Sequence, residues 1–192
     1  DAILTGTNFS GADLTGASFQ NADLTGANLT GANLDSANLT NTNLTGADLT
    51  GVILRDAINF QSSTRVDVNL TQADLSRINL GGEDLSGSDL SGVNFTGADL
   101  TGVDLTGADL RGANLAGTNL TLADLSGTNL ANAKLLLTNL TGANLTGADL
   151  TGADLRGANL SGVVTDGILS QEQIDSIANT APEMIEIVQY SD

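Results

Sequence analysis

The stretch TGADLTGVDLTGADLRGANL, residues 96–115, repeats one five-residue unit four times. Each unit has a leucine at its centre, a small or branched residue two positions earlier, and Asp or Asn between them. A polar residue, usually Thr or Ser, and then Gly follow the leucine. The same register holds eleven Leu or Phe centres from Leu4 to Leu54 and nineteen more from Leu70 to Leu160.

A period of five residues excludes a helix and a single straight strand. Along a helix, five steps of about 100° send successive leucines around every face. Along a strand, five steps place alternate leucines on opposite sides. The pattern instead fits three extended residues, of which the first and third point inward, followed by a two-residue corner that Gly tolerates well. A corner at every fifth residue predicts a solenoid of stacked coils.

The composition removes several classes of function. Among 192 residues there are 6 Lys and Arg against 23 Asp and Glu, a net charge of −17, and there is no Cys or His. Thiolate nucleophiles, Ser-His triads and zinc sites with sulfur or nitrogen ligands are therefore excluded. We expect no catalytic residue, no cofactor and no metal site. Six cations neutralise few phosphates, so direct nucleic-acid binding is not expected, and no apolar run is long enough to insert into a membrane.

Thirty units of the ADLTG, ANLTG and ADLRG type resemble the pentapeptide-repeat family, in particular its cyanobacterial members. The resemblance implies an all-β fold, a right-handed quadrilateral β-helix of about eight coils with four units in each coil. It implies that Leu100 and Ala98 point inward. It also implies that Asp99, Thr101 and Gly102 face outward or form the corner.

The register breaks once, over residues 55–67. Leu54 and Phe60 are six residues apart, and the next centre would be Arg65, which cannot lie unpaired in an apolar core. We expect a looped-out or bulged unit at 61–67, and a tolerated insertion is a simpler interpretation than a functional loop. The charged residues of the break are expected to pair locally: Arg55, Asp56, Arg65 and Asp67.

Glu83 occupies an inward slot in which Ala is the rule. An isolated buried carboxylate is costly and can mark a site. The adjacent Gly81 and Gly82 favour another interpretation, a local bulge that turns Glu83 outward.

The repeat predicts a solenoid domain over 1–165 and a C-terminal helical cap over 166–192. Ser170 and Gln173 form the pattern of a capping box at a helix start, and residues 183–190 form a second, weaker helical piece. The helical tail covers the last coil in the simpler interpretation. Its apolar residues could form a dimer interface instead, and we expect a monomer.

Two surface features stand out if coils contain twenty residues. Leu122, Leu136 and Leu137 replace the usual Thr and Gly, and Leu122 and Leu137 flank the side that carries Asn119 and Asn139, where a partner could bind. Asp84, Asp104 and Asp124 are expected to stack, with Asp89 and Asp109 in a neighbouring column. Repulsion between stacked carboxylates is expected to raise their pKa values. These residues and Arg65 are the candidate interaction surface: Leu122, Leu136, Leu137, Asp84, Asp104, Asp124 and Arg65.

The sequence indicates a non-enzymatic rigid scaffold or protein-interaction rod whose protein partner is unknown. The alternative is an acidic DNA mimic that binds a DNA-handling enzyme such as gyrase. Asp1 is not an initiator methionine, so we expect a trimmed N-terminus. Signal cleavage would place the protein in a periplasm or thylakoid lumen, and otherwise it would be cytoplasmic.

Overall fold

A computed structural model of the chain describes residues 2–60, 63, 68–166 and 188–189. The chain folds as two compact units, Asp1–Asn79 and Leu80–Asp192. Within each unit, single residues form parallel bridges with residues one coil further along, and no α-helix occurs in the described ranges. Each unit is a right-handed quadrilateral β-helix, as the family resemblance implies. The domain boundaries at 165 and 166 stay a prediction.

The bridges have a regular spacing that gives the coil its length. In the first unit they run from Ile3↔Asp23 to Asn38↔Ile58, and in the second from Asp84↔Asp104 to Asn144↔Val164, always twenty residues apart. The 21 corner glycines from Gly6 to Gly162 all have φ between 63° and 73°. This left-handed conformation costs Gly little, which explains why Gly ends most units.

The inward slots form a continuous apolar core. Centres such as Leu100 and Leu120 have no exposed surface, and burying each leucine contributes roughly 1.5–3 kcal/mol. Thr can replace Ala in the other inward slot because its hydroxyl finds a carbonyl in the preceding coil. Thr118 Oγ1, for example, donates to the carbonyl oxygen of Phe95 at 2.7 Å.

The predicted one-residue slip is confirmed, and the extra residue is Asn59. Ile58 still bridges Asn38 at twenty residues, whereas Asp48↔Asn69 and Ile53↔Asp74 are 21 apart. Phe60 is buried, and the Ser63 N–H donates to its carbonyl at 3.0 Å as in a regular unit. Asn59 is exposed with φ 55°. The bulge therefore precedes the predicted loop at 61–67, which, apart from Ser63, lies outside the described residues.

The bulge predicted at Glu83 is wrong. Gly82 has the ordinary corner conformation at φ 73°, and the Glu83 N–H donates to the Leu80 carbonyl at 3.1 Å, as in other units. Asp84 bridges Asp104 at the regular spacing. Glu83 keeps its slot and is half-buried because it lies in the first coil of its unit, where no earlier coil of that unit covers it.

Two short strands follow the last complete coil. Strand β1, Val164–Thr165, pairs in parallel with β2, Val188–Gln189, so the second helical piece predicted for 183–190 is wrong at these two residues. The open edge of the last coil offers unpaired backbone groups, and β2 pairs with two residues of that edge, Val164 and Thr165. The predicted capping box at Ser170 and Gln173 lies outside the described residues.

Candidate interaction surface

Apart from Arg65, the sequence-predicted site residues lie on three sides of the second unit. Each side is named here by its outward column, whose members bridge one another coil by coil. The acidic side consists of Asp84, Asp104, Asp124 and Asn144; the lysine side of Asn94, Asn114, Lys134 and Asp154; and the asparagine side of Asp99, Asn119, Asn139 and Asn159.

The leucine surface, which we define as Leu122, Leu136 and Leu137, lies around the asparagine side. Leu137 is at the corner between the lysine and asparagine sides, and Leu122 is at the next corner, toward the acidic side. The two corner leucines are 67% and 68% exposed, and Leu136 is 37% exposed. The structure thus places the three leucines at the two edges of one side of the second unit.

The two corner leucines have an unusual backbone conformation. Leu122 has φ 59° and Leu137 has φ 57°, in the left-handed region that an ordinary side chain adopts at a cost of roughly 1–2 kcal/mol. At the third non-glycine corner of this unit the residue is Asn132, and asparagine is among the residues that tolerate this region. Leucine at these two corners therefore lowers the stability of the fold relative to glycine or asparagine.

Each corner leucine extends over a glycine of the following coil. A methyl group on Gly142 would come within 2.9 Å of Leu122 Cδ2, and one on Gly157 within 2.7 Å of Leu137 Cδ2. Real contacts of this kind are longer, so neither position accepts a side chain unless the leucine moves. The leucines consequently cover backbone at their corners and widen the apolar surface across two coils.

The asparagine side between the corners has its polar groups paired within the coil stack. Asn139 Nδ2 donates to Thr121 Oγ1 at 2.9 Å and to Asn119 Oδ1 at 3.4 Å. Asn119 Nδ2 donates in the same way to Thr101 Oγ1 at 2.8 Å. A partner crossing this side would meet a polar strip whose hydrogen bonds are already made, bordered by apolar corners.

Lys134 is exposed on the lysine side, two residues before Leu136. The nearest carboxylate in its column, Asp154, is held by Arg156, whose Nε and Nη2 donate to the two carboxylate oxygens at 2.8 and 2.7 Å. This pairing lowers the pKa of the Asp154 carboxyl and raises the pKa of the Arg156 guanidinium. Within the described ranges, Lys134 forms no ion pair.

The acidic side stacks as predicted, but the pKa values of Asp84 and Asp124 shift the other way. Asp84 bridges Asp104, and Asp104 bridges Asp124. The Ser86 hydroxyl donates to Asp84 Oδ1 at 2.7 Å and its backbone N–H does so at 3.0 Å, and these bonds lower the pKa of the Asp84 carboxyl. The pKa of Asp124 is lowered by the equivalent bonds from Ser126. The predicted rise is wrong for these two residues because local hydrogen bonds favour the ionised form.

The neighbouring Asp89–Asp109 column also forms, and an arginine partly neutralises it. Asp89 bridges Asp109, and Arg111 Nε donates to Asp109 Oδ1 at 2.8 Å. The hydrogen bond from Arg111 lowers the pKa of the Asp109 carboxyl. The acidic side has no such arginine, so its carboxylates carry the more uniform negative charge.

Ion pairs in the first unit connect successive coils. Arg55 lies 3.4 Å from Asp35 and 3.6 Å from Asp74, and Arg77 pairs with Asp56. The prediction of local pairing is therefore wrong for Arg55 and Asp56, whose described partners are about twenty residues away. The predicted partners Arg65 and Asp67, including the candidate site residue Arg65, lie outside the described residues.

Sequence reasoning missed one feature of the first unit. Ile53 and Ile58 occupy the outward slots of two successive five-residue repeats, where Asp or Asn is usual, and Ile58 is 50% exposed. The sequence itself shows this feature, because isoleucine replaces the usual Asp or Asn in two successive repeats.

No group of acidic residues in the described ranges is arranged to hold a metal ion. Those ranges also contain no helix long and apolar enough to cross a membrane.

The family model described as pentapeptide repeats matches eight copies, within residues 1–31, 17–56, 69–107, 104–135 and 123–162. These matches cover more than half of the chain and leave a gap that includes the bulge at Asn59 and the segment after it. Among proteins of curated function, no sequence match reaches significance.

The solved structures that resemble the chain include two further pentapeptide repeat proteins. HetL, a pentapeptide repeat protein involved in heterocyst differentiation regulation from the cyanobacterium Nostoc, is 38% identical with a TM-score of 0.52. The match covers 88% of this chain and 72% of HetL. A pentapeptide repeat protein from the Arabidopsis thaliana thylakoid lumen is 30% identical with a TM-score of 0.55, over 58% of this chain and 79% of that one.

Proposed function

We propose that this chain, which belongs to the pentapeptide repeat family, is a non-enzymatic scaffold that binds a protein partner at the leucine surface of its second unit. The observation that supports the proposal most directly is the conformation of Leu122 and Leu137. Both are left-handed and about two-thirds exposed. A residue that lowers the stability of the fold and also exposes apolar surface is typical of a functional position.

The remaining chemistry of the chain favours binding over catalysis. The chain has no Cys or His, and its outward carboxylates repeat with similar local partners. Acid–base catalysis requires two carboxyl groups whose environments differ. HetL takes part in the regulation of heterocyst differentiation, and a regulatory role through a bound partner suits a scaffold of this kind.

The double substitution Leu122→Asn and Leu137→Asn tests whether the leucines serve binding. Asn occupies corners with similar φ at Asn21, Asn41 and Asn132, so the fold accepts it. We expect the free energy of unfolding in urea to stay equal or to rise by up to about 1 kcal/mol per site. A marked loss of stability would instead give the leucines a structural role.

Binding is measured by selecting displayed random peptides on the parent and counter-selecting on the Leu122→Asn, Leu137→Asn variant. We expect peptides that the parent retains and the variant does not. The variant Asn132→Leu is a matched control, since it places a leucine at a corner away from the asparagine side. Peptides retained equally by parent and double variant would contradict the proposed surface.

A second candidate function is that of an acidic DNA mimic, and the acidic side is the observation that favours it. Asp84, Asp104 and Asp124 form one stacked column without an arginine partner among the described residues. The lowered pKa values of Asp84 and Asp124 keep these carboxyls ionised to a lower pH than an ordinary aspartate. A charged column of this kind could be bound by a protein that normally binds phosphates.

A gyrase supercoiling assay with added protein separates the two candidates. A DNA mimic should inhibit supercoiling, and the triple variant Asp84→Asn, Asp104→Asn, Asp124→Asn should lose that inhibition. A scaffold that acts through the leucine surface should leave supercoiling unchanged in both forms.

A further inference from the structure

We infer that the partner of the leucine surface is a protein segment that carries a carboxylate beside apolar side chains, and that Lys134 pairs with that carboxylate. The inference rests on the proposed function and specifies the partner's chemistry. It depends on the position of Lys134, on the charge of the sides around it, and on the identity of its neighbours.

Lys134 differs from every other cation in the described part of the chain. Arg55, Arg77, Arg111 and Arg156 each contact a carboxylate of the chain, whereas Lys134 has no such contact in the described ranges. Its outward slot normally holds Asp or Asn, and its column neighbours are Asn114 and the already paired Asp154. The ammonium group is thus a free donor at the surface.

The lysine side is also the exception in the charge pattern of the second unit. Lys134 and Arg156 against Asp154 leave it with a net charge of +1, in a chain whose net charge is −17. The outward column of the acidic side carries three carboxylates and no cation among its described residues. A carboxylate approaching this unit is therefore repelled at the acidic side and accepted beside Lys134.

The apolar part of the surface begins next to this cation. Lys134 is followed by the buried Leu135 and then by the exposed Leu136 and Leu137, and Leu122 lies at the far corner of the adjacent asparagine side. A segment that lies across these positions would bury apolar side chains on the leucines and place a carboxylate near Lys134. Such a charge at the rim selects partners and orients them more than it adds affinity.

Other occupants fit these observations less well. A second copy of the chain would bring a further charge of −17, and the two copies would repel each other strongly at low salt. A nucleic acid would find one free cation in the described residues, which is too few for binding driven by counterion release. An acidic and apolar protein segment satisfies both the cation and the leucines.

The test uses the peptides that the parent retains and the Leu122→Asn, Leu137→Asn variant does not. We expect these peptides to be enriched in Asp or Glu next to Leu, Ile, Phe or Met. Lys134→Asn should weaken the binding of a selected peptide about two- to fivefold, as expected for an exposed ion pair, and reduce its salt dependence. The control Asn129→Asp changes the net charge by the same amount on a different side, and should leave the affinity unchanged.

A double-mutant cycle completes the test. Replacing the peptide's acidic residue by its amide should weaken binding to the parent as much as Lys134→Asn does, and should cause no further loss in the Lys134→Asn variant. Selected peptides without acidic residues, or equal effects of Lys134→Asn and Asn129→Asp, would overturn the inference while leaving the leucine surface as a binding site. If no peptide distinguishes the parent from the double leucine variant, the proposed function itself fails. A dimer that the double leucine variant abolishes would make the occupant a second copy, and would also overturn the inference.

Discussion

The acidic side and the leucine surface of the second unit are built on the same coiled backbone and the same apolar core, yet one exposes carboxylates and the other exposes leucine side chains. Both lie over fully buried centres such as Leu105 and Leu120. On the acidic side, Asp104 and Asp124 fill outward slots, and the corners after them are the glycines Gly107 and Gly127. At the leucine surface, Leu122 and Leu137 hold corners, and Leu122 lies at the corner shared with the acidic side. The comparison teaches that the inward slots determine the coil and leave the outward and corner slots free to vary.

The largest effect is expected from a core leucine compared with a surface leucine two residues away. Leu120→Ala removes a fully buried centre and should lower the free energy of unfolding by about 2–5 kcal/mol. Leu122→Ala removes a side chain that is 68% exposed, and should change it by no more than about 0.5 kcal/mol. Urea unfolding of both variants measures the difference. Equal losses would mean that the corner leucine belongs to the core.

A smaller effect is expected at two glycines of one corner column. Gly102→Ala and Gly142→Ala both place a side chain at a left-handed residue, with φ 63° and 67°, and should each lose about 1–2 kcal/mol of stability. Only the methyl group at Gly142 meets Leu122 Cδ2. Gly142→Ala should therefore displace that leucine and weaken peptide binding, while Gly102→Ala should not. Equal affinities for a selected peptide would show that the position of Leu122 is immaterial.

The smallest effect concerns the pH dependence of the acidic side. Because the folded pKa values of Asp84 and Asp124 are lowered, the stability they contribute is present above the unfolded pKa of about 4. It is lost as the pH falls through the lowered folded values. Asp84→Asn with Asp124→Asn should flatten this acid decline, as urea unfolding from pH 7 to pH 3 would measure.

The control for the acid titration is Asn94→Asp on the lysine side, which should leave the contribution of the acidic side unchanged. If acidification stabilised the parent relative to the double Asn variant, the local hydrogen bonds would not be what sets the direction of these pKa shifts. That result would restore carboxylate repulsion as the dominant effect.

The sequence predicted the features that depend on neighbours within one unit. Alternating inward and outward residues, glycine corners and the slip between Leu54 and Phe60 all follow from side-chain size and backbone freedom over about six residues. The exposure of Leu122 and Leu137 also followed from the repeat, because both residues occupy corner positions. The length of the coil came from the family resemblance, because a period of five residues alone does not fix the number of sides.

Tertiary structure decided the features that depend on residues one coil apart or on atomic geometry. The sequence could not place the extra residue at Asn59, pair Arg55 with Asp35 and Asp74, or extend Leu122 over Gly142, because each contact joins residues brought together only by stacking. The direction of the pKa shift at Asp84 depended on the two hydrogen bonds from Ser86, at 2.7 and 3.0 Å, which favour the ionised carboxylate. The five-residue period thus specifies which residues occupy inward, outward and corner positions, while the stacking of the coils determines which atoms each side chain contacts.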